Sequence, residues 1–399
     1  MSQLADLDVT AGAESGLERL CRANPEHADQ LRSVFAVMRQ LHGTLPSSVG
    51  VADDTGASRV QSTATDELMG RLRRAPKLDA ERYRFDGEID RGGQGAVFRI
   101  HDRHLNRSLA MKMLLEREAA GAEPDTLDRR IGRQVLSRFL EEAQVTSQLS
   151  HPGIVPVHEV GLDDHGKVYF TMQLVSGRTA GAVFRDVRDG QHGWTVTRAL
   201  EVVLKVCDTM AYAHARGVLH RDLKPANVMI GRFGEVYVMD WGLAKVVAEA
   251  EGTDDNAPVD SARRRDAGRG DSSSVASLAG QQLGTPSYMP PEQARGEPVD
   301  ERADIYAVGA MLYELLAGRA PYTEPGIAKS ARRILDEVVA GPPRRVEEIA
   351  KGVPAELVAI VEKAMARDRA TRYGSTTELA ADLRAFLDQR TVVAYRTGA

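Results

Sequence analysis

Hydrophobic residues along this chain recur with two periods, one typical of strands and one typical of helices. Short apolar or alternating runs predict strands in four places, at 109–112, 168–175, 228–230 and 236–239. Apolar residues at helical spacing predict one helix around 135–149 and another from Thr197 to Arg216. Two of the four predicted strands precede the longer helix and two follow it, so the pattern predicts a chain that contains both strands and helices.

A separate helical segment precedes these elements. Asn24 as cap, Pro25 at the first helical position and Gly43 at the end bracket a predicted helix. Its apolar residues share one face and are Ala28, Leu31, Phe35, Met38 and Leu41. Residues 43–65 then change to Gly, Ser, Thr and Ala, a composition typical of a flexible linker. We therefore set residues 1–80 apart as an extension, whose helices either dock on the rest of the chain or bind another protein.

One run of polar residues carries the candidate chemistry. His220-Arg221-Asp222-Leu223-Lys224-Pro225-Ala226-Asn227 places a carboxylate beside a lysine and an asparagine, and Asp240-Trp241-Gly242 adds a second carboxylate after the next hairpin. Transfer of a phosphoryl group from a magnesium-bound nucleotide needs such a set, because the protein must orient a hydroxyl, hold metal and neutralise spreading charge. Asp222 is the candidate for the hydroxyl proton and Lys224 for the moving phosphate. Asn227 and Asp240 offer the hard oxygen ligands that Mg²⁺ prefers.

These residues resemble the catalytic loop and the metal-binding motif of eukaryotic-type serine/threonine protein kinases in their bacterial form. The resemblance covers roughly residues 83 to 388, and Lys224 after Asp222 is the serine/threonine form of the loop. It implies a two-lobed fold of the α+β class, with a β-rich small lobe over 83–175, a helical large lobe over 176–388 and a short tail over 389–399. It also implies ATP and Mg²⁺, or Mn²⁺, as cofactors and proteins as substrates, with self-association during autophosphorylation.

The same resemblance implies a nucleotide site in the small lobe. Ile89-Asp90-Arg91-Gly92-Gly93-Gln94-Gly95-Ala96-Val97 resembles the glycine-rich loop, whose backbone amides approach the phosphates. Asp90 stands where the family has its first glycine, and its charge would lower nucleotide affinity unless it points away. Leu109-Ala110-Met111-Lys112 resembles the strand that covers the adenine and reaches the phosphates. The implied ATP contacts from these two segments are Ile89, Gly92, Gly93, Gly95, Val97, Ala110 and Lys112.

The helix around 135–149 supplies the implied partner of Lys112. Glu142 fits the family position, and the neighbouring Glu141 is the alternative. Adjacent residues on a helix point about 100° apart, so only one of them can face the lysine. Further along, Met172 is implied at the back of the adenine pocket, and the backbone of Gln173 and Val175 at the adenine edge.

Later motifs resemble the supports of the catalytic loop. Gly284-Thr285-Pro286-Ser287-Tyr288-Met289-Pro290-Pro291-Glu292 resembles the end of the activation segment, with Pro290 in place of the usual alanine. The family implies an ion pair between Glu292 and a later arginine, for which Arg372 is suited. Asp304 is implied to hold the backbone of the catalytic loop.

An insertion from about 246 to 283 interrupts the activation segment. It begins acidic, becomes basic at Arg263-Arg264-Arg265 and holds few large apolar residues, so we expect disorder in the unphosphorylated state. Its candidate phosphorylation sites are Ser272, Ser273, Ser274 and Ser277. A phosphate there could pair with Arg221, beside Asp222, whereas Thr285 is implied to contact the catalytic loop directly. A passive loop is the alternative.

Composition limits the remaining possibilities. A chain of 399 residues with 42% hydrophobic residues can build a sizeable core, and a net charge of −5 gives no reason to expect a nucleic-acid partner. Cys21 and Cys207 are isolated and show no zinc-site spacing, so we expect a reducing compartment, the cytoplasm. No apolar run approaches the roughly 18 residues that span a bilayer. A nucleotide-binding pseudokinase and a small-molecule kinase are the alternative functions.

Overall fold

The computed structural model describes residues 55–74, 81–92, 95–115, 126–246, 259 and 286–395. The helix predicted between Asn24 and Gly43 lies outside these residues, as does most of the insertion.

The first part of the fold is one antiparallel sheet of five strands. The strands are β1 (Tyr83–Gly92), β2 (Gly95–Asp102), β3 (Arg107–Leu114), β4 (Val157–Leu162) and β5 (Val168–Gln173), in the order β1-β2-β3-β5-β4. Gly92 pairs with Gly95 at the tight connection between β1 and β2. A Cβ on Gly95 would lie 2.3 Å from the Met113 carbonyl oxygen, so only glycine lets β2 approach β3 this closely here.

Two helices accompany the sheet, α1 (Thr55–Arg74) and α2 (Thr126–Gln148). They share a buried group of side chains with the sheet, which we call the small-lobe cluster and which consists of Leu72, Phe139, Leu140, Ala143, Leu162, Val168 and Phe170. The rings of Phe139 and Phe170 lie 5.1 Å apart at its centre. Residues 55–65 belong to α1, so the predicted flexible linker is wrong for them. Leu68, Met69 and Leu72, in the second half of the helix, pack in the cluster. Because helix nucleation is costly and extension is not, this packed half allows the helix to extend back to Thr55.

The second part of the fold is mainly helical. Its helices are α3 (Ala180–Asp189), α4 (Val196–Ala215), α5 (Pro291–Ala294), α6 (Arg302–Ala317), α7 (Ala331–Ala340), α8 (Val346–Ile349), α9 (Ala355–Ala364) and α10 (Thr376–Leu387). Its short strands are β6 (Gly177–Thr179), β7 (Val218–Leu219), β8 (Val228–Gly231), β9 (Val236–Val238) and β10 (Lys245–Val246). The β-rich and helical parts confirm the two-lobed fold.

Helix α6 lies at the centre of the large lobe. Its residues from Ala303 to Tyr313 are all buried, and apolar side chains cover its whole circumference, as is typical of a core helix. Helices α4, α9 and α8 pack against it. Asp304 in the first turn is therefore a carboxylate held in the core.

The predicted hairpin and the predicted helix before the catalytic loop are confirmed as β8–β9 and α4. Val259, within the insertion, contradicts the predicted disorder. Its side chain is fully buried in the large-lobe core, and its amide donates a hydrogen bond to the Arg216 carbonyl at 3.4 Å. The prediction is wrong for this residue because burial of one branched apolar side chain offsets its ordering cost.

Arg372 and Glu292 form a buried ion pair beneath the end of the activation segment. The arginine Nη1 and Nη2 atoms lie 2.6 and 2.9 Å from the two carboxylate oxygens, a bidentate arrangement. Arg372 also donates to the carbonyls of Ala366 and Arg302 and lies 5.1 Å from the centre of the Tyr306 ring. The pair thus connects Glu292 of α5 to the start of α6 and to the segment between α9 and α10.

We expect Arg372→Met to lower the free energy of unfolding by about 3–5 kcal/mol, because it leaves Glu292 as an uncompensated buried charge. Urea unfolding measures this change. The matched control is Arg332→Met, whose side chain on α7 is 80% exposed and which should change stability by less than about 1 kcal/mol. Equal effects of the two substitutions would contradict a structural role for the pair.

Candidate active site

Lys112 connects three separate segments of the chain. It lies in β3, opposite Val97 of β2 and Phe170 of β5. Its ammonium lies 2.6 and 2.7 Å from the two oxygens of Glu142 in α2, and 3.8 Å from Oδ1 of Asp240. The sheet, α2 and the segment after β9 therefore meet at one cation.

The Lys112–Glu142 pair is almost fully shielded from solvent. The side chains are 13% and 6% exposed, whereas Asp240 is 47% exposed. Burial alone would lower the pKa of Lys112, but the carboxylates of Glu142 and Asp240 outweigh it and raise that pKa above its ordinary value. Burial raises the pKa of Glu142, an effect that Lys112 opposes. Each member thus depends on the other for its charge, and Glu142 rather than Glu141 makes this pair with Lys112.

A second group of polar side chains surrounds Asp222. Lys224 Nζ donates to Asp222 Oδ2 at 2.7 Å, and Asn227 Nδ2 donates to the Asp222 carbonyl at 2.9 Å and to Oδ2 at 3.2 Å. A single 3₁₀ turn, Pro225–Asn227, brings the asparagine back toward the aspartate. These contacts orient the Asp222 carboxylate between a cation and an amide.

Asp304 holds the loop that carries Asp222. Its Oδ2 accepts hydrogen bonds from the His220 amide at 2.9 Å and His214 Nε2 at 2.8 Å, and its Oδ1 accepts one from the Arg221 amide at 2.8 Å. Burial alone would raise the pKa of Asp304, but these donors outweigh it and hold the pKa below its ordinary value. The bonds also support the left-handed backbone of Arg221, whose φ is 67°.

His220 links this loop to the segment that carries Asp240. The Asp222 amide donates to His220 Nδ1 at 3.2 Å, and His220 Nε2 lies 3.0 Å from the Met239 carbonyl, which requires the neutral Nε2–H tautomer. The Met239 amide donates to the Asn227 carbonyl at 2.7 Å. Trp241, which follows Asp240, is buried with its ring 4.7 Å from that of His220. Its indole N–H donates to the Val238 carbonyl at 3.2 Å. The tryptophan therefore fits without disturbing the loop.

The glycine-rich segment places Asp90 on the face of Lys112. Asp90 pairs with Val97 and Val97 pairs with Lys112, and directly opposed residues of a sheet share a face. The exposed Asp90 carboxylate accepts a hydrogen bond from the Arg91 amide at 2.9 Å, and its charge is among those that raise the pKa of Lys112. Asp90 thus acts electrostatically on the cation of the site.

The residues predicted around the adenine lie on neighbouring strands. Ala110 of β3 pairs with Met172 of β5, and Leu109 pairs with Gln173, the last residue of that strand. Gln173 Nε2 donates to the Tyr237 hydroxyl at 3.3 Å, a contact from the small lobe to β9. Val175 follows the strand, and Ile89 is 48% exposed in β1. Gly93, Thr285 and the four candidate serines, Ser272, Ser273, Ser274 and Ser277, lie outside the described residues.

Comparison with known proteins identifies the family. The model of the protein kinase domain matches residues 83–383. This chain belongs to the protein kinase family.

Curated relatives agree with this family. The chain is 32% identical over 328 residues to a serine/threonine-protein kinase PknD of Protochlamydia amoebophila, covering 78% of this chain and 30% of the relative. It is 34% identical to the protein of the same name from Chlamydia felis, covering 76% and 31%. The chain therefore spans about a third of the length of these relatives. In the described part of this kinase-family chain, none of the helices is both long and apolar enough to cross a membrane.

Two side chains of the kinase site were missed in the sequence. Gln293, after Glu292, donates to the Arg221 carbonyl at 2.9 Å, and His214 donates to Asp304. The side chain of His214 is 5% exposed. The position of His214 in the last turn of α4 was the available signal, whereas nothing in the neighbouring sequence marks Gln293.

We expect Asp90→Gly to tighten ATP binding by about two- to fivefold, the range for one charge at an exposed position. The change removes a carboxylate from the face that carries Lys112. Equilibrium titration with a fluorescent ATP analogue measures the affinity. Asp90→Asn should reproduce most of the gain, and the matched control Glu88→Gln, an exposed carboxylate paired with Arg91, should not. Unchanged or weaker affinity in Asp90→Gly would contradict this electrostatic role.

Proposed function

We propose that this chain is a protein serine/threonine kinase that transfers the γ-phosphoryl group of ATP to serine or threonine hydroxyls of proteins. The observation that carries the proposal is the meeting of Lys112 with Glu142 and Asp240, beside a catalytic loop fixed by Asp304. A buried lysine held by two carboxylates is a costly arrangement, which argues for a functional reason. The names of the relatives support the same activity.

Asp222 and Lys224 are the residues we assign to the reacting groups. Asp222 would orient the substrate hydroxyl and accept its proton, because its carboxylate is held by Lys224 and Asn227 on one oxygen, Oδ2. In this arrangement Lys224 would hold positive charge near the transferred group. The left-handed backbone of Arg221 and its bonds to Asp304 keep the carboxylate in place.

The donor set fits a nucleotide-bound magnesium ion. Asp240 offers a half-exposed carboxylate, and the Asn227 amide donates through Nδ2 to Asp222, so its carbonyl oxygen is the end of the group suited to a metal. Among the described residues, no group of three or more His, Cys, Asp or Glu side chains could hold a metal. Asp240 and Asn227 would therefore hold the ion together with phosphate oxygens, and Mn²⁺ is the alternative ion. The metal would neutralise charge on the phosphates.

The β-sheet supplies the proposed nucleotide contacts. Gly92 and Gly95 leave the backbone at the end of β1 and the start of β2 free of side chains. Lys112 lies in β3, opposite Val97 of β2. Ile89, Val97, Ala110 and Met172 would border the adenine, and the backbone of Gln173 and Val175 would bind its edge. Gly93 belongs to the same loop by sequence.

Protein substrates are favoured over small molecules by the segment that ends at Glu292. The ordered run 286–292 is fixed through the Glu292–Arg372 pair, and the next residue, Gln293, binds the backbone of Arg221. The segment therefore borders the loop of Asp222, where an extended substrate could lie. Small-molecule kinases of the aminoglycoside type are not expected to carry this segment.

The cytoplasm is the proposed compartment. Cys207 is a buried free thiol in α4, and burial raises its pKa to about 12. Such a thiol is unreactive, which supports a structural rather than a redox role. Self-association during autophosphorylation belongs to the same proposal.

We expect Asp222→Asn and Asp240→Asn each to lower kcat by at least about 100-fold, since each removes a group assigned to the transition state. Lys112→Met should lower kcat more than it weakens ATP binding. Transfer of labelled phosphate to a generic protein substrate, followed by mapping of the modified hydroxyls, measures the activity. Asp189→Asn, an exposed carboxylate in α3, is the matched control and should behave as the parent.

The two aspartate variants also need a folding control. Their thermal unfolding midpoints should stay close to that of the parent for Asp222→Asn and Asp240→Asn, because both positions border the cleft. Parent-like phosphate transfer by a folded Asp240→Asn protein would contradict the metal assignment. No transfer by the parent, with ATP binding retained, would favour a pseudokinase.

We also expect phosphorylation of the insertion to increase activity. Phosphate adds about −1.5 to −2 charges near pH 7 and could pair with a nearby arginine such as Arg221. Mass spectrometry of active protein should find phosphate at one or more of Ser272, Ser273, Ser274 and Ser277, and alanine at the mapped positions should slow substrate phosphorylation. Full activity of protein without phosphate in this segment would contradict the switch.

A further inference from the structure

Helix α1 lies ahead of the residues that match the kinase family model, which begins at Tyr83. Thr65, Leu68, Met69 and Leu72 lie at spacings of three and four and share one face of the helix. Leu72 is 8% exposed, and Leu68 and Met69 are partly buried. The intervening charged residues are exposed and are Asp66, Glu67, Arg71 and Arg73.

The apolar face of α1 packs into the small-lobe cluster. There Leu72 joins Phe139, Leu140 and Ala143 of α2 and Phe170 of β5. The Thr65 hydroxyl donates a hydrogen bond to the Ser137 hydroxyl at 3.3 Å, which adds a polar contact between the two helices. α1 is therefore a direct neighbour of α2.

Helix α2 is buried on more of its circumference than one sheet can cover. The buried residues of its last three turns include Phe139, Leu140, Glu142, Val145 and Thr146. At about 100° per residue these positions extend over about 220° of the helix, whereas a helix packed on one surface buries a stripe of about 100° or somewhat more. The sheet covers one part of this arc, and the large-lobe core, to which Val145 belongs, covers another. α1 contributes to the part around Phe139 and Leu140.

The small-lobe cluster also includes neighbours of both members of the Lys112–Glu142 pair. Leu140 lies two residues before Glu142 in α2, and Ala143 follows it directly. Phe170 is the cross-strand neighbour of Lys112. The Lys112 ammonium lies 5.9 Å from the centre of the Phe170 ring. A shift of α2 in this cluster would therefore change the distance between the two charges.

We propose that α1 is a positioning helix, in which Leu72 with Leu68 and Met69 holds α2 where Glu142 reaches Lys112. These residues act through the ion pair and contact neither substrate nor nucleotide. The proposal for turnover rests on the proposed kinase function, whereas the proposal for the position of α2 does not. It assigns the end of the N-terminal extension a role within the catalytic unit.

A double-substitution cycle in the full chain tests this proposal. Leu72→Ala should lower kcat by about fivefold or more, the range expected for coupled neighbours. Glu142→Gln alone should lower kcat by a larger factor than Leu72→Ala alone. If Leu72 acts through the pair, Leu72→Ala should have little additional effect on kcat in the Glu142→Gln background. Arg73→Ala, on the exposed face of the same helix, is the matched control and should leave kcat unchanged. Independent, multiplying losses in the double variant would overturn the proposal.

Two further measurements separate positioning from loss of folding. Leu72→Met keeps the apolar volume and should restore kcat, and all variants should show one cooperative thermal unfolding transition. Hydrogen exchange of peptides covering 135–148 should be faster in Leu72→Ala than in the parent, while exchange in α6 stays unchanged. Equal acceleration in both regions, or none in α2, would overturn the proposal.

The exchange experiment does not depend on catalysis. If the parent transfers no phosphate, the proposed function fails, and the exchange of α2 together with the affinity for a fluorescent ATP analogue still decides the role of α1. Leu72→Ala should then weaken analogue binding in the parent background and have no further effect in Glu142→Gln. An unchanged affinity in Leu72→Ala together with unchanged exchange would overturn the positioning role.

Discussion

A buried ammonium has to be matched by carboxylates, and this requirement organises the cleft. Lys112 has lost most of its solvent, so its charge depends on Glu142 from α2 and on Asp240 from the segment after β9. Coulombic attraction changes steeply at short range, and both lobes must therefore hold their carboxylates within a few ångströms. The apolar contacts of the small-lobe cluster and the hydrogen bonds around His220 are the means by which each lobe does so.

The backbone of the catalytic loop is held by a second buried carboxylate, Asp304. Asp304 is a carboxylate in the core, and it accepts hydrogen bonds from two backbone amides and one imidazole. Fixed dipoles of this kind stabilise a buried charge and at the same time define the backbone path of residues 220–222. Because His220 also joins the Met239 carbonyl, the proposed base and the proposed metal ligand share one rigid frame.

The candidate catalytic residues were easier to predict from the sequence than the residues that hold them in place. Asp222, Lys224 and Asn227 occupy one short run, so their spacing could be interpreted without knowledge of the fold, and the 3.6-residue period identified the helix that carries Glu142. Gln293 and Val259 could not be found in this way, since their partners, the Arg221 carbonyl and the large-lobe core, are distant in sequence. The start of α1 was missed because tertiary contact with the small-lobe cluster overrides the weak preferences of a Gly-, Ser- and Thr-rich segment.

Trp241 has a consequence for the choice of inhibitors. Its indole N–H is satisfied by the Val238 carbonyl and its ring is buried against His220. A compound that occupies the cleft only after this side chain has swung out must break that hydrogen bond and expose a large aromatic surface, and the stranded carbonyl alone costs about 1–3 kcal/mol. Compounds that bind while Trp241 stays buried do not lose this free energy. A screen against this chain should therefore favour them over compounds that require Trp241 to move.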